Sequence, residues 1–205
     1  MEPTSRKYLF FDLDGTLTDS MPGIARAVQY ALRRFGIDVQ DLAALKPFLG
    51  PPLRDSFMEF YGMSPEEADR AVAVSREYFV PRGMFENELY PGIPELLAAT
   101  AAAGRVNVIA TSKPQPFAER IAAHFGIDRH FRLISGSTFD GRRKTKADVI
   151  RHALSALGIA PGEAVMIGDR RYDVEGAAEE GLPAIAVEWG YAPPGELEAA
   201  RPLRI

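Results

Sequence analysis

Two aspartates, Asp12 and Asp14, follow the apolar run Tyr8-Leu9-Phe10-Phe11 and precede Gly15. Side chains two apart in an extended chain project to the same side, so both acids are expected to leave a buried strand together. The glycine lets the backbone turn straight after them. Two carboxylates held this close repel unless a proton or a divalent cation compensates. That pattern suits a nucleophile and a general acid/base around one metal ion. Three further polar features fall where strands end or helices start: Thr111-Ser112, Lys146, and Asp169 with Asp173 one helical turn beyond. Thr145 reads as a helix N-cap, with Asp148 closing a capping box. Lys146 then adds an ammonium to the positive end of that helix, a natural anion site. Lys144, just outside the helix, is the second choice. Aspartates can hold a hard cation through oxygen, most simply Mg²⁺, while a hydroxyl and an ammonium can hold phosphate oxygens. The set suits phosphoryl transfer to a carboxylate nucleophile.

Those positions depend on the elements around them. The first strand is read at about Lys7 to Asp12. A helix-rich block comes next, with helical periodicity over Pro22–Phe35 and Leu53–Tyr61 and a capped helix from Ser64-Pro65-Glu66-Glu67 to about Phe79. No strand is expected in this block, and its aromatics read as the core of a small helical bundle. From about Phe85 the pattern alternates. Helices are expected at Pro94–Ala103, Pro116–Phe125, Lys146–Leu157 and Arg170–Glu180. Strands are expected at Arg105–Thr111, Phe131–Ser135, Ala164–Gly168 and Ala184–Val187. Alternation of this kind means a parallel sheet covered on both faces. The fold class is therefore α/β, a Rossmann-like doubly wound parallel sheet. Residues 1–17 and 85–205 form this core, and residues 18–84 form a small all-α insertion after the first strand. In such a sheet, ligands bind beyond the carboxyl ends of the strands, where Asp12, Asp14, Thr111, Ser112 and Asp169 all fall.

The 205 residues carry 24 Lys and Arg against 28 Asp and Glu, a formal net charge of -4. That balance argues against nucleic acid as a partner, because no strongly basic face is available to displace counterions. The absence of cysteine excludes disulfides, thiolate catalysis and Cys-ligated zinc, and it suits a cytoplasmic location. No apolar stretch is long enough to span a membrane, and Met1–Lys7 lacks the apolar core of a signal peptide.

Taken together, the chain resembles the haloacid dehalogenase-like hydrolase superfamily over nearly its whole length. Asp12-Leu13-Asp14-Gly15-Thr16 is similar to the first family motif and Ala110-Thr111-Ser112-Lys113-Pro114 to the second. Lys146, within Lys144-Thr145-Lys146-Ala147-Asp148, is similar to the third. Gly168-Asp169-Arg170-Arg171-Tyr172-Asp173 is similar to the fourth. The insertion resembles the helical cap of one branch, and Phe48-Leu49-Gly50-Pro51-Pro52-Leu53-Arg54 resembles the cap segment of phosphoglycolate phosphatase-like members. The resemblance implies Asp12 as the nucleophile that becomes an aspartyl-phosphate. It implies Asp14 as the acid that protonates the leaving oxygen and then activates water. Asp12, the backbone carbonyl of Asp14, and Asp169 would bind Mg²⁺, with Asp173 orienting the metal's water shell. Thr111, with Ser112 beside it, and Lys146 would hold the phosphoryl group. A mobile cap would keep water out until it is needed.

Structural roles compete with functional ones at several positions. Arg54 is either a substrate contact from the cap or a surface salt bridge. Arg142-Arg143-Lys144 reads as a solvated loop. His124, His130 and His152 lack partners at metal-binding spacing. Trp189 is expected to pack beyond the last strand. The activity implied is a Mg²⁺-dependent phosphatase acting on a small phosphorylated metabolite, phosphoglycolate by default. A 5'-nucleotidase is the main alternative, on the stretch Met166–Val174, and a sugar-phosphate mutase the next. Dehalogenase chemistry lacks the second acid, here Asp14. A non-enzymatic protein would have a broken catalytic set, and this set is whole. Monomer and homodimer are equally compatible with the sequence.

Overall fold

The computed structural model describes residues 6–205; most of the segment Met1–Lys7 lies outside the described residues. Strand β1 (Tyr8–Phe11) leads through a tight turn into the two-residue strand β2 (Thr18–Asp19), which pairs with β3 (Glu88–Leu89). These two short strands are the two crossings between compact units. One unit is the chain up to Thr18 together with Leu89–Ile205, and the other is Asp19–Glu88. The second crossing lies four residues beyond the boundary expected after Met84. The main-chain N–H of Gly23 bonds the carbonyl of Glu86 at 3.1 Å, tying the segment 83–86 to the helical unit. Gly23 and Gly83 are close enough there that a Cβ on Gly23 would lie 1.8 Å from the Gly83 carbonyl oxygen. The expectation of no strand between residues 18 and 84 is corrected by β2.

The Asp19–Glu88 unit is built on three helices, α1 (Met21–Arg34), α2 (Leu53–Tyr61) and α3 (Pro65–Phe79). Ser64 caps α3 in the expected capping box: its side chain accepts from Glu67 N and its own N–H is accepted by the Glu67 carboxylate. Leu45 and Phe48, on a 3₁₀ segment at Leu42–Phe48 that periodicity did not reveal, join Val28, Leu32 and Phe57 in its core. Phe48 packs edge-on against both Phe57 and Phe60. The Asp41 side chain caps this stretch by accepting from Ala43 N, and the Phe48 contacts anchor it to the helices.

The other unit continues with α4 (Ile93–Ala102), β4 (Val106–Pro114), α5 (Gln115–His124), β5 (Phe131–Ser137), α6 (Lys146–Leu157), β6 (Ala164–Gly168), α7 (Arg171–Glu179), β7 (Ala184–Ala186) and α8 (Glu196–Ala200). Its five strands are all parallel, in the order β5-β4-β1-β6-β7. The chain runs outward from β1 to β5 on one side and returns to β6 on the other, so β1 marks the point where the winding reverses. Phe10, Val108, Ala110 and Met166 pack with Val149, Ile150 and Ala153 of α6 and Val174 and Ala177 of α7. Residues of the other parity, Phe11 and Ile109, are equally buried, as expected for a sheet covered on both faces. The β7 edge is closed by the C-terminal segment, where Ala186 N bonds Arg204 O and Leu203 N bonds Ala184 O, both at 2.8 Å.

Strand register brings the polar residues together. Phe11 lies opposite Ile109 on β4 and Ile167 on β6. One residue further come Asp12, Ala110 and Gly168; two further come Leu13, Thr111 and Asp169. Polar residues from three adjacent strands therefore emerge at one edge, beside the strand where the winding reverses, which is where ligands bind in this architecture. Among the described residues no helix is long and apolar enough to cross a membrane.

Candidate active site

Asp12 shares the parity of Phe10 and faces the layer formed by α6 and α7. Lys146 is the first residue of α6, fixed by the capping box in which Thr145 accepts from Asp148 N at 3.1 Å. From there its ammonium reaches Asp12 Oδ1 at 2.9 Å, Asp173 Oδ1 at 2.7 Å and the Ala110 carbonyl at 3.1 Å. Lys146 is only 5% exposed. Burial alone would lower its pKa, but the carboxylates of Asp12 and Asp173 outweigh that and hold it above the ordinary lysine range. Lys144, in contrast, offers only its backbone N–H to Asp148 here, on an exposed stretch.

Asp169 is fully buried. Its Oδ1 accepts from the Thr16 hydroxyl at 3.1 Å and its Oδ2 from the Tyr191 main-chain N–H at 2.8 Å. Two glycines make room for it. Gly15 has φ of 80°, and a Cβ there would sit 2.2 Å from Asp169 Oδ2; a Cβ on Gly190 would sit 2.3 Å from it. Asp173, third residue of α7, is also buried, and its Oδ2 accepts from Arg170 N at 3.0 Å. Ligand oxygens of Asp12, Asp169 and Asp173 all lie within 4.8 Å of one another. Burial first, and then the charges of Asp173 and Asp12, push the Asp169 carboxyl up to about 8. Burial likewise raises Asp173 to about 6, with Lys146 opposing it.

Asp14 takes a different partner. β1 ends at Phe11, and Leu13 O accepts from the main-chain N–H groups of Thr16, Leu17 and Thr18. The chain is thus turning before Asp14, and the period-two argument that put Asp12 and Asp14 on one side of a strand does not extend to it. Asp14 Oδ2 pairs with Lys113 Nζ at 2.8 Å. Its Oδ1 is buried with no hydrogen-bond partner among the described residues. Thr111 and Ser112 do not end β4 as expected, because the strand runs on to Pro114 across a register shift after Thr111. The Thr111 hydroxyl oxygen accepts from Lys113 N at 3.2 Å, so its proton is available to a ligand.

Three contributors escape sequence reasoning. Lys113 is visible there only as part of a motif. Trp189 lies beyond β7, as expected, but its indole N–H returns to the Thr16 carbonyl at 3.2 Å and its ring leans on Tyr90. Glu196 of α8 binds the Arg170 guanidinium through both carboxylate oxygens, at 2.7 and 3.1 Å, and accepts from Arg171 N. It braces the loop that carries Asp169. Arg54 lies in the helical unit, paired with Asp69 at 2.7 Å on an exposed face.

The donor set fits a hard divalent cation. It offers only oxygen, and four carboxylates (Asp12, Asp14, Asp169, Asp173) meet two ammoniums (Lys113, Lys146), a formal charge of −2 when all are ionised. Burial first and neighbouring carboxylates second raise Asp169 and Asp173, and a divalent cation bound there would favour their ionised forms.

The family model described as haloacid dehalogenase-like hydrolase matches residues 9–187. A 5'-nucleotidase of Pseudomonas aeruginosa is 48% identical over 194 residues, covering 95% of this chain and 88% of that protein. The tyrosine-protein kinase PtkA of Mycobacterium tuberculosis is 42% identical over 187 residues, covering 91% of this chain but only 64% of the relative. A phosphoglycolate phosphatase of Yersinia pestis is 32% identical over 190 residues, with 88% and 80% covered. The crystal structure of a predicted phosphatase from Clostridium acetobutylicum superposes with a TM-score of 0.92 at 48% identity, covering 95% of this chain and 90% of that one.

Proposed function

The chain belongs to the haloacid dehalogenase-like hydrolase family and is a phosphatase, and from that premise we propose that it hydrolyses a small phosphate monoester through an aspartyl-phosphate on Asp12. The observation that carries this reading is the division of two lysines between two aspartates at the end of β1. Lys146 pairs with Asp12 and orients its carboxylate, as a nucleophile requires. Asp14, separately held by Lys113, keeps one oxygen unengaged, as a proton shuttle requires.

A carboxylate oxygen of Asp12 attacks phosphorus, and the bond from phosphorus to the ester oxygen breaks. The leaving oxygen keeps the electron pair and takes the proton carried by Asp14. Asp14, now ionised, removes a proton from water as the water oxygen attacks the acyl-phosphate. The phosphorus–Asp12 bond then breaks, returning the Asp12 carboxylate and releasing inorganic phosphate. Thr111 and Lys146, with Ser112 alongside, would bind the phosphoryl oxygens. Asp12 and Asp169 would hold Mg²⁺, with Asp173 orienting its water shell and the Asp14 carbonyl as a further oxygen. Bound there, the cation would offset repulsion between an anionic nucleophile and an anionic ester.

For the substrate, the 48% identity to a protein named 5'-nucleotidase favours a nucleoside 5'-monophosphate. Phosphoglycolate, the default on sequence motifs, is the second reading, supported by a relative of that name at 32% identity. Phosphate release from nucleotides, phosphoglycolate and sugar phosphates with Mg²⁺, against Asp12→Asn as blank, tests both. Release only from phosphoglycolate reverses the preference. A sugar phosphate isomerised without free phosphate would make the chain a mutase.

A further inference from the structure

We propose that Lys113 is the positioning residue of the proton shuttle, fixing which oxygen of Asp14 faces the ester and thereby setting how well the enzyme expels poor leaving groups. The inference rests on the reading of Asp14 as acid and base. Lys113 projects from β4 two residues after Thr111, and its side chain is only 5% exposed. Its ammonium engages Asp14 Oδ2, while Oδ1 is enclosed without a partner among the described residues. A buried carboxylate oxygen with nothing to bond is costly unless a ligand completes it. The ester oxygen of a bound phosphate, or the water that succeeds it, is the group of matching chemistry. Asp14 sits past the end of β1, where an isolated bridge to Thr18 holds its backbone; the charge-assisted bond to Lys113 on a second element then orients its side chain.

The same residue links the shuttle to the phosphate contact. The Lys113 main-chain N–H donates to the Thr111 hydroxyl oxygen at 3.2 Å, which leaves the O–H able to donate to a phosphoryl group. One short stretch of β4 thus orients a phosphate donor through its backbone and the proton shuttle through its side chain. Lys146 cannot substitute, being committed to Asp12, Asp173 and the Ala110 carbonyl.

The test is the dependence of kcat/KM on the leaving group, since that ratio covers only the steps up to ester cleavage. Wild type, Lys113→Met, Lys113→Gln and Lys113→Arg are compared with Mg²⁺ on a series from nitrophenyl phosphate to alkyl phosphates. A nitrophenolate departs with little need of a proton, whereas an alkoxide needs one. Lys113→Met should stay within a few-fold of wild type on nitrophenyl phosphate and lose roughly 10²-fold or more on alkyl esters, the span of a general acid. Lys113→Arg, which keeps the charge, should recover much of the loss. An equal fall across the series in a folded variant, checked by circular dichroism, would reduce Lys113 to a strand support and overturn the proposal. So would an unchanged or improved alkyl rate. If the methionine variant does not fold, the contrast between Lys113→Gln and Lys113→Arg decides the same question. Turnover persisting in Asp12→Asn would instead sink the phosphatase mechanism itself, whatever the lysine variants do.

Discussion

Burial of Asp169 among other carboxylates should make the metal-free protein less stable as pH rises, opposite to the usual behaviour of a paired aspartate. The Asp169 carboxyl is lifted from 3.8 to about 8, chiefly by burial. Between those values the unfolded chain has released its proton and the folded chain retains it. The native state then binds more protons than the unfolded state, so unfolding becomes easier with rising pH throughout that window. At about 1.36 kcal/mol per pH unit, raising the pH from 5.5 to 8 costs roughly 3 kcal/mol from this group alone. For a chain of this length each kcal/mol moves Tm by about 2–4 °C, so Tm in EDTA should fall by roughly 6–12 °C. Asp173, lifted to about 6, acts in the same direction below that pH.

Thermal melts in EDTA at both pH values, repeated with excess MgCl₂, give the measurement. Mg²⁺ favours the ionised carboxylates, so the stabilisation it confers should be larger at pH 8 than at pH 5.5. Asp169→Asn can keep an oxygen toward Thr16 or Tyr191 without carrying charge, and it should remove most of the pH dependence and most of the Mg²⁺ effect together. A metal-free Tm that is flat from pH 5.5 to 8, or a slope unchanged in Asp169→Asn, would refute the account of Asp169 as the focus of uncompensated charge.

Asp12→Asn should lower phosphate release to the level of an enzyme-free control while leaving circular dichroism unchanged; any retained turnover assigns the nucleophile elsewhere. Gly190→Ala places a methyl 2.3 Å from Asp169, and the displacement should cost roughly 1–3 kcal/mol of stability and weaken Mg²⁺ activation, read as a raised half-activating concentration. Arg54→Ala removes an exposed ion pair with Asp69 and should move stability by less than about 1 kcal/mol. A raised KM with unchanged kcat in that variant would assign Arg54 to substrate binding, and unchanged kinetics would leave it a surface salt bridge. The single Trp189 donates to the Thr16 carbonyl, and the Thr16 hydroxyl donates to Asp169. Its fluorescence should therefore change on titration with Mg²⁺, and this change should vanish in Asp169→Asn.

The parts of the molecule legible in the sequence are those written in local chemistry. Strand and helix alternation gave the parallel sheet, and the capping boxes at Ser64 and Thr145 formed as their spacing requires. The helix start at Thr145 is what delivers Lys146 to Asp12, so a purely local signal positioned one residue of the site. Contributors that escaped notice act across long stretches of chain. Nothing near Lys113 announces Asp14 as its partner, and nothing near Glu196 announces the Arg170 loop. Periodicity says which side of a strand a residue takes; it is silent on what a neighbouring strand presents there. The same limit applies at Asp14. Alternation holds only while the chain is extended, and three N–H groups converging on the Leu13 carbonyl end that regime before Asp14 is reached.

That early turn has a chemical consequence. Had β1 run straight through Asp14, Asp12 and Asp14 would point the same way, toward α6, and compete for Lys146. A single ammonium between two like carboxylates would treat them alike. A nucleophile must stay ionised and an acid must carry a proton, so equal treatment would leave neither role well served. With the chain turned at Leu13, Asp14 pairs with Lys113 on β4. Gly15, which must adopt a positive φ and leave room for Asp169, makes that turn feasible. The backbone between the two acids therefore gives each its own lysine partner, Lys146 for Asp12 and Lys113 for Asp14.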